Sequence, residues 1–122
     1  MADSRSKVSR TESPTDDTTL GGYLATHDRP PAFEGPDGHP YTVSPEVERT
    51  PNLRAPYAGY FVFPRWATTG AGIVGHLETP NLVEGASRQE VLDALGALPL
   101  IEVYTRLIEA LDVDAKEADA PR

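Results

Sequence analysis

Closely spaced prolines divide the first half of this chain. Eight of them fall between residues 30 and 64. Because each proline fixes φ and lacks a backbone N–H, no α-helix can run through this region, which must consist of strands and turns. Residues 41–50 alternate apolar and polar side chains, as a half-buried strand does. Pro45 within them predicts a strand at the edge of a sheet or at a bulge.

The strongest strand pattern lies at residues 57–67. Its side chains alternate between two apolar sets, which are Tyr60, Val62 and Trp66 on one side and Phe61 and Phe63 on the other. A strand of this kind is expected to be covered on both faces. A glycine-containing turn leads into residues 70–79, which we expect to pair with it as a hairpin. With a short element at 81–83, the pattern predicts an antiparallel sheet of three or four strands within residues 41–83.

Two helices are predicted in the C-terminal part of the chain. Ser87 and Glu90 have the spacing of a capping box, in which each side chain bonds a backbone N–H at the start of a helix. Gly96 is a suitable end for this helix, and Pro99 can begin the next one. The second helix carries one apolar stripe and a flanking row, which are Ile101, Tyr104, Ile108 and Leu111, and then Leu100, Val103 and Leu107.

Together these elements predict a small α+β domain. Its antiparallel sheet is packed on one face by the two C-terminal helices, and a short helix at residues 20–27 packs at an edge. Residues 1–18 are too polar to offset the entropy of ordering and are expected to form a disordered tail. We therefore expect a single α+β domain over residues 19–112, followed by a flexible acidic tail at 113–122.

The net charge of −8 restricts the classes of partner. A nucleic-acid binder needs clustered Lys and Arg, whereas the arginines between residues 19 and 112 are scattered singly. We expect neither nucleic acid nor an anionic membrane as a partner. The sequence has no cysteine and no apolar run of membrane-spanning length, so we expect a cytoplasmic protein without disulfides or thiolate metal sites.

Histidines are the remaining candidates for catalysis, because the sequence has neither a G-x-S-x-G motif nor a phosphate-binding G-x-x-x-x-G-K-[ST] motif. His76 and Glu78 lie two residues apart on a predicted strand, so both project to one face. There they could share a metal ion or act as a base and its orienting group. A third ligand must come from elsewhere, and the candidates are His39, His27, Asp28 and Asp37. The alternative is an ordinary His–Glu pair on a half-exposed strand, and we expect no cofactor.

Aromatic side chains concentrate around residues 57–67 and carry the main functional hypothesis. One layer of helices covers one face of a sheet, so part of this aromatic surface is left for a partner or a second copy. The expected binding residues are Tyr57, Tyr60, Arg65 and Trp66. The sequence thus predicts a small non-catalytic interaction or regulatory protein with a protein partner or self-association as a homodimer. Two alternatives stay open, namely a small metal- or ligand-dependent enzyme that uses the His/Glu pair, and an accessory subunit of a larger complex.

Overall fold

The computed structural model describes residues 17–118, within which the chain forms three helices and six strands. The predicted disordered tail 1–18 lies outside the described residues, apart from Asp17 and Thr18. In chain order the elements are α1 (Leu20–His27), β1 (Ala32–Glu34), β2 (Pro40–Thr42), β3 (Ser44–Arg49), β4 (Tyr57–Trp66), β5 (Ile73–Glu78), β6 (Val83–Gly85), α2 (Arg88–Gly96) and α3 (Leu100–Ala118).

β4 is the centre of an antiparallel sheet. It pairs with β2 and β3 along one side and with β5 and β6 along the other, and β1 extends the sheet by pairing with β2. The α+β architecture and the β4–β5 hairpin are confirmed. The predicted number of strands, three or four within residues 41–83, is too low, since six strands lie between residues 32 and 85. β1, β2 and β6 have three residues each, which is too short for an alternating pattern to be recognised.

A proline explains why β2 and β3 are separate strands. Both follow one continuous register along β4, as two pairs show, Tyr41 with Arg65 and Ser44 with Val62. The ladder is interrupted between these two pairs, where Pro64 lies opposite Thr42 and has no N–H to donate, and Val43 separates the two strands. β3 is the last strand in this direction, so the prediction of an edge strand at residues 41–50 is confirmed for its longer part.

All three helices contribute to one buried core with the inner side of the sheet. α2 packs against β3, β4 and β6, α3 packs against β5, and α1 packs against α2. The core residues are Leu20, Tyr41, Val43, Phe61, Phe63, Leu77, Val91, Leu95, Val103 and Leu107. The two C-terminal helices are therefore present as predicted, together with α1.

The start of α2 is fixed by the predicted capping box in a shifted form. Ser87 Oγ accepts from the Glu90 N–H at 3.0 Å, and Glu90 Oε1 accepts from the Ala86 N–H at 3.1 Å. Gly59 on β4 lets this helix approach the sheet closely, because a Cβ at that position would lie 2.8 Å from Leu95 Cδ1.

α3 is rotated relative to the sequence prediction. Val103 and Leu107 are fully buried, whereas Ile101, which belongs to the predicted main stripe, is 77% exposed. The flanking row is thus the one that enters the core. The first turn of the helix is tied to the segment before α1, because the Leu100 N–H donates to the Thr18 carbonyl oxygen at 2.7 Å.

α3 is also longer than the predicted domain. The sequence placed the end of the domain at Asp112, but the helix continues to Ala118. Two ion pairs accompany the extra turns. Lys116 Nζ lies 3.0 Å from Asp112 Oδ2 one turn away, and Asp114 Oδ2 lies 4.0 Å from Arg65 on the sheet.

Candidate interaction surface

The face of the sheet that points away from the helices, called the outer face below, carries a row of half-buried side chains on β4. Phe61 and Phe63 point into the core. Because side chains alternate along a strand, their neighbours point the other way. The outer row of β4 consists of Tyr60, Val62, Pro64 and Trp66, all of them partly exposed.

Carboxylates flank one end of this row. Glu46 on β3 lies directly opposite Tyr60, and Glu78 on β5 lies opposite Val62. Further along, Glu48 on β3 and Glu84 on β6 both lie opposite the same β4 residue, one from each side. Residues that pair directly across an antiparallel sheet place their side chains on the same face. The outer face therefore has an acidic end, consisting of Tyr60, Glu46, Glu48, Glu78 and Glu84.

The pKa of Tyr60 reflects the carboxylates around it. Desolvation and the negative charges of Glu78, Glu48 and Glu46 raise the pKa of the Tyr60 hydroxyl above its ordinary value. Glu48 also accepts a hydrogen bond from Asn81 Nδ2 at 3.1 Å, which crosses the outer face above β4. A shallow depression of about 270 Å³ lies beside the Tyr60 ring, between Glu48 and Glu78. This geometry suits a cation, which can contact both the carboxylates and the aromatic ring.

The opposite end of the outer face is apolar. Trp66 is held in place by a hydrogen bond of 3.0 Å from its Nε1 to Thr42 Oγ1. A bulge in β5 sets Ile73 opposite Trp66, and Ile73 and Val74 are 58% and 59% exposed. The surface therefore combines an acidic end with an aromatic and aliphatic end, a combination found in protein-binding surfaces.

Two of the predicted binding residues belong to the outer face and two do not. Tyr60 and Trp66 lie on it. Tyr57 packs against the helix-side core, with the Arg49 guanidinium 5.0 Å from its ring centre. Arg65 likewise points toward the helix side, so the structure does not bring the four residues together in one surface.

Arg65 takes part in a polar network with Asp37 and Tyr41. Its Nε donates to Tyr41 Oη at 2.6 Å, Tyr41 donates to Asp37 Oδ2 at 2.7 Å, and the guanidinium lies 3.3 Å from the same oxygen. Burial, followed by the hydrogen bond to Asp37, raises the pKa of Tyr41 to about 12. Burial alone would raise the pKa of Asp37, but hydrogen bonds from Tyr41 and the His39 N–H and the Arg65 charge hold it below its ordinary value. The network ties the turn after β1 to β4.

The predicted metal-binding residues are only partly brought together. His76 Nε2 lies 3.6 Å from Glu78 Oε2, and the two side chains are 61% and 55% exposed. His39 lies on the other side of β4, where its Nδ1 is 2.9 Å from the Trp66 carbonyl oxygen. Within residues 17–118, no three His, Cys, Asp or Glu side chains are grouped so that they could hold a metal ion.

Of the four glutamates on the outer face, only Glu78 was singled out from the sequence, as a metal ligand, whereas Glu46, Glu48 and Glu84 were missed. A usable signal was present, because Glu46 and Glu48 are spaced by two residues around Val47 and so share one face of a strand. Their position next to Tyr60 could not be read from that spacing, since it depends on the register between β3 and β4.

Comparisons of the chain with protein-family models, curated proteins and solved structures gave no match. Among residues 17–118, no helix combines the length and the apolar composition needed to cross a membrane. The chemistry of the outer face therefore carries the functional inference.

Proposed function

We propose that this protein is a non-catalytic interaction protein whose outer face binds a positively charged segment of a partner protein. The observation that carries the proposal is the acidic end of the outer face. There Glu46, Glu48 and Glu78 surround the partly exposed ring of Tyr60. A lysine or arginine side chain over Tyr60 would gain a cation–π contact and ion pairs with the flanking carboxylates.

The charge of the surface favours a basic partner over a second copy of this chain. If two outer faces met, the carboxylates of one copy would approach those of the other, and like charges across an interface cost several kcal/mol. The whole chain has a net charge of −8, so long-range electrostatics also oppose self-association and accelerate encounter with a basic protein.

The apolar end of the outer face would supply the second part of the contact. Trp66 is fixed by its hydrogen bond to Thr42, and a rigid, partly exposed tryptophan is a typical anchor in protein interfaces. Ile73 and Val74 extend the apolar area next to it. A partner segment that carries basic residues followed by apolar ones would match both ends.

The proposal is tested with a short, acetylated and amidated peptide of alternating lysine and threonine as the probe, at low ionic strength. The double variant Glu46→Gln/Glu48→Gln removes two charges from the outer face. We expect it to weaken peptide binding about fivefold, which is the size expected for two partly exposed ion pairs. Isothermal titration calorimetry provides the measurement.

The matched control is the double variant Asp93→Asn/Asp112→Asn, which removes the same number of charges from exposed positions on α2 and α3, away from the outer face. We expect it to bind the peptide like the unchanged chain. Equal weakening by the two double variants would show that net charge alone attracts the peptide, and the proposal would then be wrong.

A further inference from the structure

β5 has an edge that is available for pairing. It pairs with β4 along one side, and no other described strand pairs with its second side. The direction of its backbone groups follows from the ladder. The Thr79 N–H donates to the Phe61 carbonyl oxygen at 3.0 Å, so the pair formed by these residues is a hydrogen-bonded one. Because such pairs alternate with non-bonded pairs, the N–H and C=O groups of His76 and Glu78 point away from β4, toward the open edge.

The edges at β3, β1 and β6 are better protected than this one, and β6 has only three residues. β3 contains Pro45, and its remaining exposed positions carry charged side chains. β1 is only three residues long. β5 has six residues, no proline, and the exposed aliphatic side chains Ile73 and Val74 at one end. Proline, charges, bulges and short length are the devices by which natural proteins prevent unwanted strand pairing. β5 has a bulge only at its Ile73 end, and its one acidic residue is Glu78, so residues 75–78 form an edge that can accept a strand of opposite charge.

A groove runs beside this edge, between β5 and the C-terminal half of α3. One part of it encloses about 230 Å³, with Leu77 and Val113 as its apolar surface and Glu78, Asp114 and Glu117 as its charged one. The neighbouring part encloses about 190 Å³ and is mostly apolar. A strand placed along β5 would direct every second side chain toward this acidic groove.

We propose that a second basic segment of the partner, distinct from the one over Tyr60, binds in an extended conformation as an additional strand on β5. This inference rests on the proposed function and adds a second site, because β5 and β3 pair with opposite sides of β4 and a strand on β5 does not reach Glu46 and Glu48. The backbone of the segment bonds the outward-pointing groups of His76 and Glu78, and its Lys or Arg side chains contact Glu78, Asp114 and Glu117. Strand addition of this type obtains affinity from main-chain hydrogen bonds and specificity from alternate side chains.

A second copy of this chain fits the edge less well than a basic segment. If two β5 strands paired with each other, Glu78, Asp114 and Glu117 of each copy would lie near those of the other. A second copy and a basic segment would offer the same backbone hydrogen bonds, so the negative charges of the groove favour the basic segment.

The experiment uses the full chain, the lysine–threonine peptide and two methylated versions of it. In one version the backbone nitrogen of every lysine is methylated, and in the other that of every threonine. We follow binding at β5 by the amide NMR signals of His76 and Glu78. In an added strand, alternate N–H groups face the sheet. We therefore expect one methylated peptide to bind at β5 about tenfold more weakly or worse, because its hydrogen bonds to β5 are lost, while the other keeps the affinity of the parent peptide.

Amide hydrogen exchange on the protein gives the second measurement. With saturating parent peptide, the amides of His76 and Glu78 should exchange about tenfold more slowly, whereas those of Val47 and Arg49, on the outer edge of β3, should not change. If the His76 and Glu78 amides are already protected in the chain alone, the edge is occupied by the chain itself and the inference is overturned.

The outcomes separate this inference from the proposed function. Equal affinities of the two methylated peptides, whether both bind or both fail, would contradict strand addition even if the parent peptide binds and the outer-face variants weaken it. Failure of the parent peptide to bind at low ionic strength would remove both proposals. Retained binding by one methylated peptide together with slowed exchange at His76 supports strand addition, whereas the variant Glu46→Gln/Glu48→Gln decides on the outer face.

Discussion

Glu46 of β3 lies directly opposite Tyr60 of β4, on the face of the sheet that points away from the helices. Glu78 approaches the same tyrosine from β5. A phenol ring between carboxylates is a site that repels anions and attracts cations.

The first prediction concerns the ionisation of Tyr60. Desolvation and the charges of Glu78, Glu48 and Glu46 raise its pKa, so replacement of Glu78 by Gln should lower that pKa toward the ordinary value. Tyrosine ring signals followed by NMR against pH provide the measurement. The control Glu109→Gln on α3 should leave the pKa of Tyr60 unchanged. If both variants give the same pKa as the unchanged chain, the carboxylates do not act on Tyr60 as described.

The second prediction is a loss of stability at alkaline pH. Tyr41 has a pKa of about 12 in the folded chain, whereas a tyrosine in the unfolded chain has a pKa of about 10. The stabilising contribution is therefore complete below about pH 10 and is lost as the pH rises toward about 12, because the unfolded state releases its proton first. Denaturant unfolding across this range should show a falling midpoint in the unchanged chain and a smaller fall in Tyr41→Phe. If the denaturation midpoint fell equally with pH in both proteins, the raised pKa of Tyr41 would be contradicted.

The third prediction concerns the approach of α2 to the sheet. In Gly59→Ala the new Cβ would lie 2.8 Å from Leu95 Cδ1, so the core must shift, at a cost of about 1–3 kcal/mol of unfolding free energy. Gly72→Ala is the matched control, because a Cβ at Gly72 has no neighbouring atom within 4 Å. We expect its effect to stay within about 0.5 kcal/mol. Similar unfolding free energies for the two variants would mean that α2 does not pack against Gly59.

The fourth prediction tests the rotation of α3. Leu107 is fully buried, and Leu107→Ala should cost about 2–5 kcal/mol through the cavity that it creates. Ile101 is 77% exposed, and Ile101→Ala should cost about 0.5 kcal/mol or less. Chemical denaturation of both variants measures the difference. If Ile101→Ala lost more unfolding free energy than Leu107→Ala, the row that contains Ile101 would be the buried one, as the sequence pattern predicted.

Local sequence signals predicted those parts of the fold that depend on local geometry. The capping spacing of Ser87 and Glu90 located the start of α2, and the alternation around Phe61 located the central strand. The rotation of α3 depends instead on tertiary packing, in which Val103 and Leu107 enter a core formed by residues from distant parts of the sequence. The apolar period along the helix does not distinguish its two apolar rows without that packing.

The candidate site was predicted in part for the same reason. Tyr60 and Trp66 were identified from the aromatic strand and do share the outer face. Arg65 follows the opposite alternation and bonds Tyr41, a residue from another strand. The acidic end depends on the register that places Glu46 opposite Tyr60, and register is a property of pairing rather than of either strand alone.

The most direct test of the outer-face proposal is an amide NMR titration of the full chain with the lysine–threonine peptide at low ionic strength. We predict that the largest shifts occur at Glu46, Tyr60 and Glu78, and that amides of the exposed side of α2 stay unchanged. The shifts should diminish as salt is added, because the contact is electrostatic. Shifts concentrated on the helices, or no saturable shift on the outer face, would contradict the account.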